Sequence, residues 1–252
     1  MSFLSEVGRF FVSSSNWTGP QGILARAFAQ AMLAGWVILA GSVAGVLFGF
    51  TLGRRLKGSF VAVNLTNASR AIPSLALLTL LAIYPPIGLH AGGFWTAFLT
   101  LFALALPPIL TNSYVGMREV DPDSKEAGTS LGFTAWQRFW KVEVPLALPL
   151  AVAGIRTAAV EVVATSTLAA YVTYNDLGEF IFAGLAQNDS VEAFCGAACV
   201  AILAGMADLL LLGCYRLVAP APVRARRAVG SVSRREVIHS RPWSRDVDDV
   251  GS

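Results

Sequence analysis

Asp121-Pro-Asp-Ser-Lys-Glu-Ala-Gly-Thr-Ser-Leu-Gly-Phe-Thr-Ala-Trp-Gln-Arg-Phe-Trp-Lys-Val-Glu-Val-Pro145 is the longest polar interval between the apolar blocks of this 252-residue chain. It carries charges of both signs and still reads as helical. Asp123 or Ser124 is expected to cap a short helix whose first turn holds Glu126, where a negative charge suits the helix dipole. Gly132 supplies a stop after Leu131. Thr134 can cap a second short helix, and Pro145 can begin a third, longer one. Two short helices and a glycine turn make a rigid polar knob between two membrane-length segments.

The composition places the knob in a membrane protein. The chain is 55% hydrophobic and 14% charged, with a mean hydropathy of +0.60. Its charges are clustered, which leaves several runs near the ~20 apolar residues that cross a bilayer. The first twenty residues lack an apolar core, so no cleavable signal is expected. Cys195, Cys199 and Cys214 share the last apolar run without a Cys-x2-Cys pair, and His90 and His239 are distant. They read as small lipid- or core-facing residues, and no metal site is expected.

Residues 1–21 read as an interfacial lead-in, with Phe3, Leu4, Val7, Phe10 and Phe11 at helical spacing and Trp17 suited to an interface. Leu24–Phe50 is the first span. Its Gly41-x3-Gly45-x3-Gly49 repeat lets another helix approach closely. Residues 60–83 form the second, bent or broken at Pro73. Phe94–Tyr114 is the third, interrupted by Pro107-Pro108. The fourth runs from Pro145 to about Leu168. Residues 169–189 are too polar and glycine-broken to span and read as a short outer-face or partly re-entrant segment. Val191–Leu217 is the last span, and residues 219–252 form a disordered basic tail.

Lys and Arg set the orientation. Arg54, Arg55 and Lys57 lie in the first loop, and Arg118, Lys125, Arg138 and Lys141 lie around the knob. Arg216, Arg224, Arg226 and Arg227 end or follow the last span. Segments 84–91 and 169–190 carry neither residue type. Five spans satisfy this pattern, with the N-terminus outside and the knob and C-terminus inside. The net charge of +3 therefore reads as topology, with no nucleic-acid partner; membrane lipid is the surface such arginines meet.

The knob resembles the "EAA" loop of ABC-importer permeases, written Glu-Ala-Ala, x3, Gly, x9, Ile-x-Leu-Pro. Here Glu126-Ala127-Gly128, three residues, Gly132, nine residues and Val142-Glu143-Val144-Pro145 keep the spacing, the Glu, the Gly and the Pro. Gly128 replaces the second Ala. Ala71-Ile-Pro-Ser-Leu-Ala-Leu-Leu78, Leu106-Pro-Pro-Ile-Leu110 with Asn112 and Tyr114, Val120-Asp-Pro122, Lys141-Val-Glu-Val-Pro-Leu-Ala-Leu-Pro149, Gly154-Ile-Arg-Thr157 and Leu177-Gly-x-Phe-Ile-Phe182 resemble the osmoprotectant branch. That branch imports glycine betaine, choline, carnitine and proline betaine. The similarity covers roughly residues 16–218.

The resemblance implies an all-α integral membrane protein of about five transmembrane helices, with six possible, in the methionine-importer type of permease fold. A permease domain over 22–218, carrying a cytoplasmic coupling loop at 121–145, would sit in a bacterial inner membrane. Its implied partners are separate ABC ATPase subunits, a second permease, identical or related, and an extracytoplasmic solute-binding protein. The chain contains no Gly-x4-Gly-Lys-[Ser/Thr], no HExxH and no GxSxG, so hydrolysis belongs to the ATPase and no cofactor is expected in this chain. Glu126, Ala127, Gly128, Leu131, Gly132, Phe133, Trp136 and Pro145 are the candidate coupling residues, with Leu131, Phe133 and Trp136 as apolar anchors.

Arg70, Pro73, Asn112, Arg156 and Glu161 are the candidate pathway residues. Ionisable groups at membrane depth face a bundle interior or a cavity, and Asp208 in the last span belongs with them. They serve either the solute path or ion pairs between helices. Arg156 and Glu161 are five apart, do not share a helix face, and should each have a partner elsewhere. One departure stands out. The family commonly has Gly-Ala-Gly-Gly-Leu-Gly where this chain has Val172-Thr-Tyr-Asn-Asp-Leu-Gly178, which leaves another zwitterionic or cationic solute open. An ion-coupled secondary transporter would need internal inverted repeats, and none is visible.

Overall fold

A computed structural model describes residues 3–55, 73–84, 93–172 and 174–218. Every regular element among them is helical. In chain order these are α1 (Phe3–Val12), α2 (Ile23–Arg55), α3 (Ser74–Ile83), α4 (Phe94–Arg118), α5 (Pro122–Ser130), α6 (Ala135–Arg138), α7 (Val144–Ser166), α8 (Gly178–Gln187) and α9 (Ser190–Val218). A π-helical turn, Phe139–Glu143, joins α6 to α7, and a 3-10 segment, Thr167–Val172, follows α7.

Four stretches are long and apolar enough to cross a membrane among the described residues: Ile23–Arg55, Phe94–Arg118, Ala135–Val172 and Ser190–Arg216. Of the second expected span, 60–83, only Pro73 and α3 fall within the described residues. Pro73 is extended at ψ 118° and α3 starts directly after it, so the proline marks a helix start. The expected tail at 219–252 lies outside the described residues.

Helix α4 is the centre of the bundle, packing along α2 on one side and α7 on the other. Leu33, Ala34 and Val37 of α2, Ala97, Leu101, Ala105 and Ile109 of α4, and Ala158, Val162 and Val163 of α7 form the main core. Alanines take four of these ten positions, which lets helices approach closely in lipid, where there is little hydrophobic driving force between them. The glycine repeat of α2 does this at backbone distance. A Cβ on Gly45 would stand 2.7 Å from Ile109 Cγ2, and one on Gly49 would stand 2.5 Å from Ser113 Cβ. Gly53 extends the same stripe, where a Cβ would meet the Tyr114 carbonyl at 2.7 Å. Gln30 adds a polar clasp between α2 and α7, donating from Nε2 to the Val163 carbonyl at 3.0 Å and to Ser166 Oγ at 2.9 Å.

Pro107-Pro108 does not interrupt α4, which runs unbroken to Arg118. Prolines are tolerated in spanning helices where neighbours and side chains meet the freed backbone groups. The carbonyls these two prolines free are those of Ala103 and Leu104; one turn on, Asn112 Nδ2 donates to the Pro108 carbonyl at 2.8 Å and Gly154 of α7 lies against the same carbonyl.

Residues 169–189 do form a short two-piece segment, the 3-10 turn and α8. Asn188, left-handed at φ 56°, reverses the chain, and Asp189 caps α9 by accepting from the Val191 and Glu192 amides at 2.9 and 3.1 Å. The lead-in is docked on the bundle. Phe10, Phe11 and Trp17 pack with Ile23, Leu177, Phe180, Cys199 and Val200, and Phe3 meets Phe194 edge-on at 5.5 Å.

The glycine stripe generates a comparison. Gly49→Val must push α2 off α4, an overpacking cost of about 1–3 kcal/mol. Gly35→Ala meets nothing within 4 Å and gains up to about 1 kcal/mol of helix propensity. Heating followed by size-exclusion chromatography should show a lower midpoint for Gly49→Val and an equal or higher one for Gly35→Ala. Equal midpoints for Gly49→Val and wild type would contradict the packing.

Candidate coupling loop and charged cleft

The loop is built by three local signals. Asp121 caps α5, its Oδ1 accepting from the Asp123 amide at 3.1 Å, with Pro122 at the first turn. The expected caps, Asp123 and Ser124, therefore lie inside the helix. The proline decides this, because its missing N–H and fixed φ suit the position after the cap. Glu126 consequently moves out of the first turn, and Asp123 is the acid at the dipole. At the other end Gly132 is left-handed at φ 78°. The Phe133 amide returns to the Gly128 carbonyl at 3.1 Å and the Gly132 amide to Thr129 at 2.9 Å, the bond pair of a Schellman ending. Thr134 then caps α6 reciprocally with Gln137.

Pro145 does not open a separate helix. The chain stays helical from Ala135 through the π turn into α7, with Pro145 in its first turn. A proline has no N–H for the ladder and crowds the carbonyl four residues back. The wider π turn just before it absorbs that misfit. Within that turn Glu143 is 2% exposed. Its carboxylate pairs with Arg138 Nε at 3.1 Å and Arg54 Nε at 3.4 Å. Arg54 also donates to the Ala135 carbonyl at 2.9 Å and lies over the Phe139 ring at 4.9 Å. Arg138 donates to Thr129 Oγ1 at 2.9 Å. One buried acid thus joins the end of α2, the α5–α6 turn and the root of α7. A buried carboxylate is stable only when so paired.

This clamp holds an exposed surface. Leu131 is 75% exposed, Trp136 67% and Trp140 50%. Glu126, Ala127 and Gly132 are exposed beside them, and Pro145 is exposed at the root of α7. Phe133 is turned half inward, with Lys141 Nζ 5.2 Å above its ring, so it supports the turn more than it anchors a partner. Gly128 is buried. A Cβ there would sit 3.4 Å from Arg138 Cγ and Val142 Cγ2, ordinary contact that the alanine of the resembled motif would make. Sequence reasoning missed Trp140 and the roles of Arg54, Arg138 and Glu143. The signal for Glu143 was its place inside Val142-Glu143-Val144-Pro145.

The pathway candidates divide. Arg70 lies outside the described residues. Asn112 is spent on the Pro108 carbonyl and packed against Gly154. Arg156 and Glu161, expected on different faces, line one cleft of about 650 Å³ along α7. Thr157 and Ala164 share it, and Asp208 and Tyr215 close it from α9. The partner of Arg156 is Asp208, in a bidentate pair at 2.5 and 2.7 Å. Glu161 is exposed in the cleft. No group of three or more His, Cys, Asp or Glu placed to hold a metal occurs among the described residues.

The sequence matches the family described as "Binding-protein-dependent transport system inner membrane component" over residues 17–223. Among curated proteins, the glycine betaine/carnitine/choline transport system permease protein OpuCB of Bacillus subtilis (strain 168) is 33% identical over 192 residues, 76% of this chain and 86% of that one. The carnitine transport permease protein OpuCB of Listeria monocytogenes is 35% identical over 77% of this chain and 86% of that one. Among solved structures, a chain of the inward-facing MetNI methionine ABC transporter superposes with a TM-score of 0.67 at 19% identity, covering 78% of this chain and 96% of that chain. A chain of an amino acid ABC transporter solved with histidines gives 0.60 at 18% identity, covering 86% and 97%. The structural likeness establishes the expected methionine-importer type of fold, and the family match with these sequence relatives establishes membership: this chain is a membrane-spanning permease of the binding-protein-dependent transport system inner membrane component family.

Proposed function

We propose that the chain is the permease subunit of an ATP-driven importer for osmoprotectant quaternary amines such as glycine betaine, choline or carnitine. The observation that carries the coupling part is the 121–145 loop, in which a buried Glu143 clamp holds Leu131, Trp136 and Trp140 exposed. Apolar and aromatic side chains held this way make a contact surface, and the partner it fits is an ABC ATPase. The solute class rests on the named specificities of the relatives. The bulkier 172–178 segment keeps a second reading alive, an importer for another small zwitterionic or cationic solute.

In this reading two permease subunits, identical or related, enclose the path between them. The face of α7 carrying Arg156, Thr157 and Glu161 is turned toward that path. An exposed carboxylate on a spanning helix is costly against lipid, which favours a watery or protein-lined face. ATP binding draws the two loops together, α7 carries the movement into the membrane, and an external binding protein unloads its solute. The Arg54, Arg138 and Lys141 end is cytoplasmic, and the α7–α8–α9 turn, free of Lys and Arg, faces outside.

Damage to the loop should uncouple without unfolding. Glu126→Lys changes an exposed residue outside the first turn, so helix stability should hardly move. Gly132→Val forces a β-branched residue to φ 78°, a strain of about 1–3 kcal/mol confined to the turn. Trp136→Ala removes an exposed ring. Each variant should reach the membrane and elute as wild type, yet lose ATPase co-purification or solute-stimulated ATP hydrolysis by about ten-fold, the effect of ~1.4 kcal/mol. Full retention of both by all three would remove the loop from coupling.

Orientation is tested by labelling single cysteines in intact cells with an impermeant maleimide. Asn188→Cys should react from outside and Ser130→Cys only after lysis. Reaction of Ser130→Cys in intact cells would reverse the topology.

A further inference from the structure

The turn that departs from the resembled family is pinned in place. Tyr174 donates from its hydroxyl to the Ala29 carbonyl at 3.1 Å, and Asn175 Nδ2 donates to the Pro20 carbonyl at 3.2 Å. The Leu177 amide donates to Gln30 Oε1 at 3.3 Å, and Gln30 itself holds α7 through Val163 and Ser166. At the centre of this turn Asp176 is 0% exposed. Its Oδ1 accepts from the Gly178 amide at 2.7 Å, while its Oδ2 is buried without a partner. Arg26 is the nearby counter-charge. It pairs through Nη2 with Glu179 at 3.1 Å and lies over the Phe180 ring at 4.3 Å. Its buried Nε also lacks a partner. Two buried polar atoms of opposite character are thus left open in one network, on an acid and on a base.

We propose that residues 174–179 form a proton-dependent latch that fastens α8 to the ends of α2 and α7, closed while the Asp176 carboxyl is protonated and released when it ionises. Burial is the main cause that pushes Asp176 up, to about 8. The Gly178 amide and Arg26 favour the ionised form and Glu179 opposes it. The other titratable groups facing this network are Tyr174, coupled electrostatically to Asp176, and Glu192 in the first turn of α9, within electrostatic reach of Arg26 and Glu179. The folded value lies above the ordinary aspartate range near ~4. The closed turn is therefore fully stabilised below that range, weakens as pH rises, and has lost the whole contribution once pH passes about 8. The ionised carboxylate has a destination in the open Nε of Arg26, in competition with Glu179. This inference concerns the turn alone and holds whatever the solute; only its placement outside the cell rests on the proposed orientation.

The test is hydrogen–deuterium exchange on the full-length permease as purified, read on peptides covering residues 174–180 at about pH 6 and about pH 9 and corrected for the intrinsic rate. Wild type should lose protection by about ten- to a hundred-fold across that interval. Asp176→Asn keeps the size and the acceptor for Gly178 without the charge, and its protection should be high and flat. Arg26→Gln removes one of the two groups that favour ionisation, so the pH at which protection stops falling should move upward. Equal corrected protection in wild type at both pH values would overturn the latch. So would an Asp176→Asn profile that falls like wild type, or an Arg26→Gln profile that does not move. Should Asp176→Asn fail to assemble, the wild-type and Arg26→Gln profiles decide the matter.

Discussion

The backbone of α2 lies against the backbone of α4 because glycines occupy every fourth position along the contact. In lipid, two apolar helices gain little by meeting, since the tails they displace are as apolar as they are. What holds them is dispersion over a close interface and the few polar bonds that closeness permits. Gly45, Gly49 and Gly53 provide the closeness against Ile109, Ser113 and Tyr114. With α4 fixed, α7 packs on its other side through Gly154 and through Gly116, where a Cβ would meet the Ala147 carbonyl at 2.7 Å. The α4 prolines sit in this contact and are supported by it. The exposed faces of α2 and α9 are left to large apolar side chains such as Phe28, Trp36, Leu209 and Leu210, as a lipid-facing surface requires.

Polar bonds then join the two ends of the bundle to different parts of the chain. At one end Glu143 gathers Arg54 and Arg138, so the α5–α6 turn moves only with α2 and α7. At the other, Gln30 binds α2 to α7 and to the turn before α8. Between them the Arg156–Asp208 pair fastens α7 to α9. Helix α7, or the π turn at its root, takes part in all three.

The sequence was most legible where one residue type has one backbone use. Gly132 after Leu131, Thr134 as the cap of the second short helix, and the glycine repeat each carry a local physical cause, and each was read correctly. The cap of α5 was misread because Asp121, Asp123 and Ser124 are all good caps and only Pro122 chooses among them. Pro107-Pro108 was misread as a break because the helix that runs through them is packed between α2 and α7, and that packing leaves no local sign. The Arg156 partner was expected without being named, since Asp208 is 52 residues away and no spacing rule reaches that far. The shared cleft of Arg156 and Glu161 was hidden for a related reason: a cleft wraps round a helix more widely than the single face that periodicity defines. The Arg26–Glu179–Asp176 network was hidden too, because it assembles the start of one helix with a turn 150 residues later.

The helical continuity from Ala135 to Val172 has a mechanical meaning. These 38 residues, at about 1.5 Å each, make a rod of about 57 Å, longer than the hydrocarbon core is thick. One end carries the exposed Trp136 and Trp140, and the other is the 3-10 turn before the Tyr174–Gly178 segment. The one irregular place along its first part is the π turn, where Arg54 and Arg138 grip Glu143. The rod is held at this turn, by Asp208 along its middle and by Gln30 near its other end. Held at three heights, it tilts only together with α2 and α9, so a push at Trp136 is carried to Thr167 by the bundle as a whole.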